Sequence, residues 1–309
     1  MPDFKNINIR LLTINLVVLI IAFLVNDPAH LFESTYAQSP RLLKFRTQSE
    51  ISEITINAPG NPQLILKKSE SGWSVQTSGQ DKDYPADNRI EKALETLMDL
   101  HKYYEVTSNE KKYAEYEIND DALMVELKGS GKTEQLLIGK PGSGFNTSLA
   151  RIKGEKTVYS VKGNLKSDWN QNMDYFRNKR LFQFSRENIQ SISVQGPVWY
   201  TLKNSDDKKW LLTSGNMEVE ANLIRTDRLL DDICLMEGSE FNNSGQTGFV
   251  YGSIKVELKS NTGFTLSINR NGNDYLVKSE FNPYWQKISE YRIKALFPPM
   301  DELKAKPGQ

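Results

Sequence analysis

The sequence predicts an α+β protein: two tandem copies of a mostly antiparallel sheet module with one main helix each, preceded by an N-terminal transmembrane helix. Three observations carry that reading. An apolar run stands near the N-terminus between a basic flank and an acid, strand and helix patterns recur in order along the chain, and the composition is that of an ordinary globular protein. Of 309 residues, 38% are hydrophobic and 25% charged, and 39 Lys and Arg balance 39 Asp and Glu. Such a composition excludes wholesale disorder, and the balance argues against nucleic acid as a partner, because backbone binding needs a clearly cationic face.

The apolar run, Leu11 to Val25, reads LLTINLVVLIIAFLV and is polar only at Thr13 and Asn15. Lys5 and Arg10 precede it and Asp27-Pro28 closes it, which predicts a span with its N-terminus inside and the rest outside the cytoplasm. Residues 1–26 are therefore expected to anchor the chain in the cytoplasmic membrane as a single pass, with the bulk on the periplasmic side. A signal peptide cleaved at Thr35-Tyr36-Ala37 is the alternative, although that site lies twelve residues beyond the run. A buried core helix fits the flanking charges less well. Residues 27–47 carry Pro28 and Pro40 with no sustained period and are expected as a linker.

The modules follow, 48–184 and 185–301, with 302–309 as a tail. Ile51-Ser-Glu-Ile54-Thr-Ile56 returns as Ile189-Gln-Ser-Ile192-Ser-Val194, both alternating as strands do. A polar turn then leads into a strand opened by Trp73 in one copy and by Trp210 in the other. A helix comes next in each. Asp87 is placed to cap the first, which carries Ile90, Leu94, Leu97, Met98 and His101 on one face; Asn222 caps the second, with Leu223, Leu230, Ile233 and Cys234. Further along, Val125 to Leu127 matches Val256 to Leu258, Leu136 to Ile138 matches Leu266 to Ile268, and Tyr159 to Val161 matches Tyr275 to Val277. Trp169 matches Trp285, and Arg177 and Lys179 match Arg292 and Lys294. In a duplicated module such equivalence favours a structural role, the docking of a terminal turn onto its sheet.

Motifs for chemistry are scarce. One cysteine excludes an internal disulfide and any paired-cysteine metal or redox site, and two histidines leave little for triad or metal chemistry. Gly129-Ser-Gly-Lys132-Thr133 ends like a phosphate loop, but Glu126 stands where the first glycine is needed and strands flank it on both sides. It reads as a hairpin turn, so no nucleotide is expected. The acidic pairs Asp120-Asp121, Asp206-Asp207 and Asp231-Asp232 fit turns and caps better than acid–base work. No catalytic residue, metal or cofactor is expected. One patch is a possible ligand or partner surface: Tyr103, Tyr104, Tyr113 and Tyr116, interleaved with Lys102, Lys111 and Lys112, offers rings for stacking on sugars or on a partner. The competing reading has these tyrosines closing the end of a sheet with their hydroxyls in water.

Several segments together resemble the bacterial domain-of-unknown-function family 4340. They are Ile54-Thr-Ile56, Gly72-Trp73, Tyr84-Pro-Ala-Asp87, Tyr113-Ala-Glu-Tyr116-Glu-Ile118, Leu136-Leu-Ile-Gly139-Lys140, Ala150-Arg151, Val158-Tyr159 and Arg177-Asn-Lys-Arg180-Leu181. The similarity covers about residues 50 to 185 well and the second copy weakly. It implies an envelope protein with an N-terminal membrane segment, associated with an ABC transporter system of the gliding-motility type, and it supplies no catalytic residues. The family usually has Gly-Leu where this chain has Glu117-Ile118, so a different turn is expected there. The expected function is a membrane-anchored, non-enzymatic accessory or scaffold docking on an envelope transporter; a binding module for an envelope glycan or lipid is the alternative.

Overall fold

The structure is a computed structural model and describes residues 4–26, 39–80, 82–206 and 209–305. The expected cleavage site at 35–37 and Asp207 lie outside the described residues. The chain divides into two compact units, Met1–Arg177 and Asn178–Gln309. A helix, Phe4–Asn26, opens the first. Its described side chains, 11–22, are all exposed. Among the described residues no helix is long and apolar enough to cross a membrane.

The first unit holds a nine-stranded sheet: β1 (Glu53–Asn57), β2 (Leu64–Ser69), β3 (Gly72–Thr77), β4 (Tyr84–Pro85), β5 (Tyr104–Thr107), β6 (Leu123–Gly129), β7 (Lys132–Pro141), β8 (Thr147–Ile152) and β9 (Val158–Lys162). The second holds β10 (Ile189–Gln195), β11 (Trp199–Asp206), β12 (Lys209–Ser214), β13 (Met217–Glu220), β14 (Glu240–Phe241), β15 (Phe249–Leu258), β16 (Gly263–Asn271), β17 (Asp274–Ser279) and β18 (Gln286–Ile288). The spatial orders are β4-β3-β2-β1-β6-β7-β8-β9-β5 and β13-β12-β11-β10-β15-β16-β17-β18-β14. Replacing each strand by the one nine places later turns the first order into the second. The α+β tandem architecture and the internal repeat are thus present in the strand topology itself. Each sheet has more strands than the sequence pattern suggests, because edge strands of two to four residues are too short to show a period of two.

Each sheet buries one face under an amphipathic helix. Helix Arg89–Met98 contributes Ile90, Ala93, Leu94, Leu97 and Met98 to the first core, and Asp87 caps its opening amide at Arg89 (3.0 Å). Helix Leu223–Cys234 contributes Thr226, Leu229, Leu230 and Ile233, and Asn222 accepts from the Arg225 amide (3.2 Å). The Gly129–Lys132 segment is the expected hairpin turn. Ser130 and Gly131 both take positive φ, 46° and 71°, the two-residue turn that matches strand twist.

Register refines the repeat. Ile54 faces Leu127 and Ile192 faces Val256, so Leu127, not Val125, is the counterpart of Val256. A strand pattern of period two looks the same after a slip of two residues, which is why the sequence match lands out of register. Similarly, Tyr275–Val277 belongs to β17, the counterpart of β8, whereas Tyr159–Val161 belongs to β9.

The unit boundaries also differ from expectation. Leu42, Leu43 and Phe45, placed in the linker by sequence, are buried in the first core, with Leu42 N–H donating to Leu100 O (2.7 Å). Leu181 and Phe182, placed in the first module, are buried in the second core, with Leu181 N–H donating to Met236 O (3.0 Å). Arg41 and Arg180 make the matching isolated bridges, to His101 and Glu237. Each sheet is therefore preceded by a strap laid across the end of its main helix: Arg41-Leu-Leu-Lys-Phe45 in one unit, Arg180-Leu-Phe-Gln-Phe184 in the other. At the C-terminus, Leu303 is buried and its carbonyl accepts from Asn222 N–H (2.7 Å), so the presumed tail closes the second unit.

Candidate functional site

The structure separates the four tyrosines. Tyr113 and Tyr116 lie half-buried in the 108–122 segment, which covers the sheet face opposite the main helix. Beneath them sit Ile118, Leu137, Leu149 and Val158, all buried. Tyr113 donates its hydroxyl to Lys156 O (2.6 Å), and the buried Arg151 guanidinium lies 4.3 Å from its ring centroid while donating to Ile118 O (3.0 Å). Lys140 stands over the Tyr116 ring at 4.9 Å. Both rings are thus engaged from below and from the side. Tyr103 and Tyr104 are 46% and 63% exposed at the free edge of the sheet, where β5 pairs only with β9. The second unit has no counterpart of this segment, since β14 reaches β15 through residues 242–248 alone. That deletion shortens the second unit relative to the first. Glu117, where a different turn is expected, has φ +53°, the left-handed conformation glycine takes without penalty.

Among the repeat-equivalent residues, Trp73 and Trp210 do correspond: their carbonyls accept from Ala86 N–H and Ala221 N–H, both at 2.8 Å. The other pairings need correction. Trp169 is fully buried in helix Leu165–Trp169 after β9, whereas Trp285 is half-buried and precedes β18, with Lys278 over its ring at 4.8 Å. Arg177 bridges Ala86, and in the second unit the residue bridging Ala221 is Lys304, not Arg292. Arg177 is 2% exposed, 3.7 Å from the Tyr84 ring centroid and ion-paired to Asp174 (3.0 Å). Arg292 instead donates to Glu237 O (2.8 Å) and Leu235 O (3.4 Å), satisfying carbonyls just past helix Leu223–Cys234. Lys179 donates to Ser239 O (2.7 Å) and Lys294 pairs with Glu290 (3.0 Å). A short amphipathic turn with basic residues two apart occurs in both final segments, so the pattern alone aligns the wrong helices. Trp73, Trp210, Trp169, Arg177, Lys179 and Arg292 thus support backbone or core, and Lys294 forms an exposed pair.

Two clefts remain. In the first unit, Glu95, Asp99, Asp168, Asn146, Asn164 and Lys162 line one of about 480 Å³. Burial raises the Asp168 carboxyl above the usual aspartate range, partly offset by Lys92. In the second unit, a cleft of about 820 Å³ lies between the strap and the end of helix Leu223–Cys234. Cys234 lines it, and burial pushes its thiol up to about 11, which keeps it protonated at neutral pH. Among the described residues no group of three or more His, Cys, Asp or Glu side chains is placed to hold a metal ion.

The model of a protein family described as "Domain of unknown function (DUF4340)" matches residues 73–248, more than half of the chain. This chain belongs to the DUF4340 family. The DUF4340 match opens at Trp73 in β3 and runs through both helices to Gly248 before β15, so it continues well past residue 185 into the second unit. No curated protein and no solved structure matches the chain.

Proposed function

We propose that this DUF4340 protein is a membrane-anchored, non-enzymatic scaffold of the cell envelope, held in the cytoplasmic membrane by a single pass and presenting its two units on the periplasmic side to an ABC-type transporter complex. One observation carries the reading. Helix Phe4–Asn26 carries side chains from Leu11 to Ile21 that are all exposed, and all apolar but Thr13 and Asn15. Apolar side chains exposed on every side of a helix are stable in lipid and unfavourable in water. Support for a scaffold comes from the duplicated, near-neutral modules. Separation of membranes by alkaline wash tests the anchor: the full chain is expected in the pellet, and a chain starting at Ser39 in the supernatant. A full chain found in the supernatant overturns the anchor, and a washed, crosslinked full chain that brings no transporter subunit with it overturns the docking.

A second reading is favoured by the exposed rings of Tyr103 and Tyr104 beside an open strand edge: a glycan or lipid headgroup stacks there.

A further inference from the structure

The two straps are one device held in two ways. In the first unit Glu134, 7% exposed, reaches from β7, and one of its carboxylate oxygens accepts from the backbone N–H groups of Lys44 (2.6 Å) and Phe45 (3.3 Å). Ladder rows identify its counterpart. Ile54, Leu127 and Glu134 form one row across β1, β6 and β7; Ile192, Val256 and Phe264 form the same row across β10, β15 and β16. Phe264 therefore stands at the place of Glu134, and its ring packs on Phe184 at 5.6 Å. The amides that correspond to Lys44 and Phe45 are those of Gln183 and Phe184, and they have no hydrogen-bond acceptor among the described residues. Both residues line the 820 Å³ cleft. So does Arg180, whose exposed guanidinium has no hydrogen bond or ion pair among the described residues.

We infer that this cleft binds a carboxylate side chain, an Asp or Glu presented by a partner protein. The carboxylate takes in the second unit the acceptor role that Glu134 has in the first, reaching Gln183 and Phe184 N–H from the cleft while the Phe264 ring fills the sheet position, with Arg180 as its counter-charge. The neighbouring acids limit the charge it accepts. Arg186 is already paired with Asp231 (3.3 Å) and Glu187 (3.5 Å), and Glu237 lies at the same cleft, so a single carboxylate fits better than a phosphate. A peptide is favoured over a fatty acid, because the occupant of the sister site is a glutamate side chain. The inference goes beyond the scaffold reading and stands on the strap geometry without it.

The test uses the full chain in detergent, labelled with ¹⁵N-phenylalanine and titrated with acetyl-Leu-Glu-Leu-amide. The Phe184 amide is expected to move downfield while Phe45 stays still, and the peptide with Gln in place of Glu is expected to bind at least about tenfold more weakly. Arg180→Ala, at an exposed position, weakens binding of the Glu peptide. Phe264→Glu supplies the carboxylate from within, abolishes the titration and brings Phe184 toward the shift of Phe45. Equal affinity for the Glu and Gln peptides, an unmoved Phe184, or octanoate binding more tightly than the peptide overturns the inference.

Discussion

Asp168 shows how a single half-buried carboxyl couples to pH. Desolvation raises its folded pKa above the unfolded value, with Lys92 opposing, so the folded state holds this proton more tightly than the unfolded chain. The sign follows: the group destabilises the fold above its folded pKa, and the penalty disappears as pH falls through that value. Asp168→Asn is expected to raise the melting temperature at neutral pH and to leave it unchanged below about pH 4, as thermal melts at the two conditions will read. A gain of the same size at both would refute the assignment. Little of this was legible beforehand, because Asp168 reads as one polar residue in a short helix until burial is known. Glu117 was legible in part: its departure from the family pattern marks the position, but only the backbone reveals that the turn there is left-handed.

Among elements, the strap is the one the sequence pattern hides. Five residues with two prolines nearby show no period, so a linker is the natural reading, yet Leu42, Leu43 and Phe45 are nearly inaccessible. The signal was present as a repeat, Arg-Leu-Leu-Lys-Phe against Arg-Leu-Phe-Gln-Phe, and would have been found by aligning the copies beyond their first strands. Glu134 was invisible for another reason: it alternates along β7 like any half-exposed strand residue, and nothing in its neighbourhood announces two amides from a segment 90 residues away. Glu134→Ala is expected to destabilise the first unit by about 1–3 kcal/mol in urea unfolding, since it removes a charged acceptor from two strap amides, that of Phe45 buried. The amphipathic helices, by contrast, were readable to their caps, because a period of 3.6 and an Asn or Asp at the start are local signals.

For the whole molecule, the boundaries make the sharpest prediction. A fragment of residues 39–177 is expected to unfold cooperatively, whereas residues 48–177 lose the burial of Leu42, Leu43 and Phe45. That loss is worth about 5–9 kcal/mol, comparable to the entire stability of a small domain. Circular dichroism melts of the two fragments decide it. Equal stability would mean that the strap lies on the unit without holding it.

By itself the sequence determined the class of fold, the duplication, the hairpin at Gly129–Lys132 and membership of the family, because all four are written in local periodicity or in residue identity. The tertiary structure decided the rest: where each unit begins and ends, which residues of the two copies correspond, and which acceptor each strap finds. Those depend on register and on partners far apart in the chain. A pattern of period two cannot fix them, since it repeats itself after every slip of two residues.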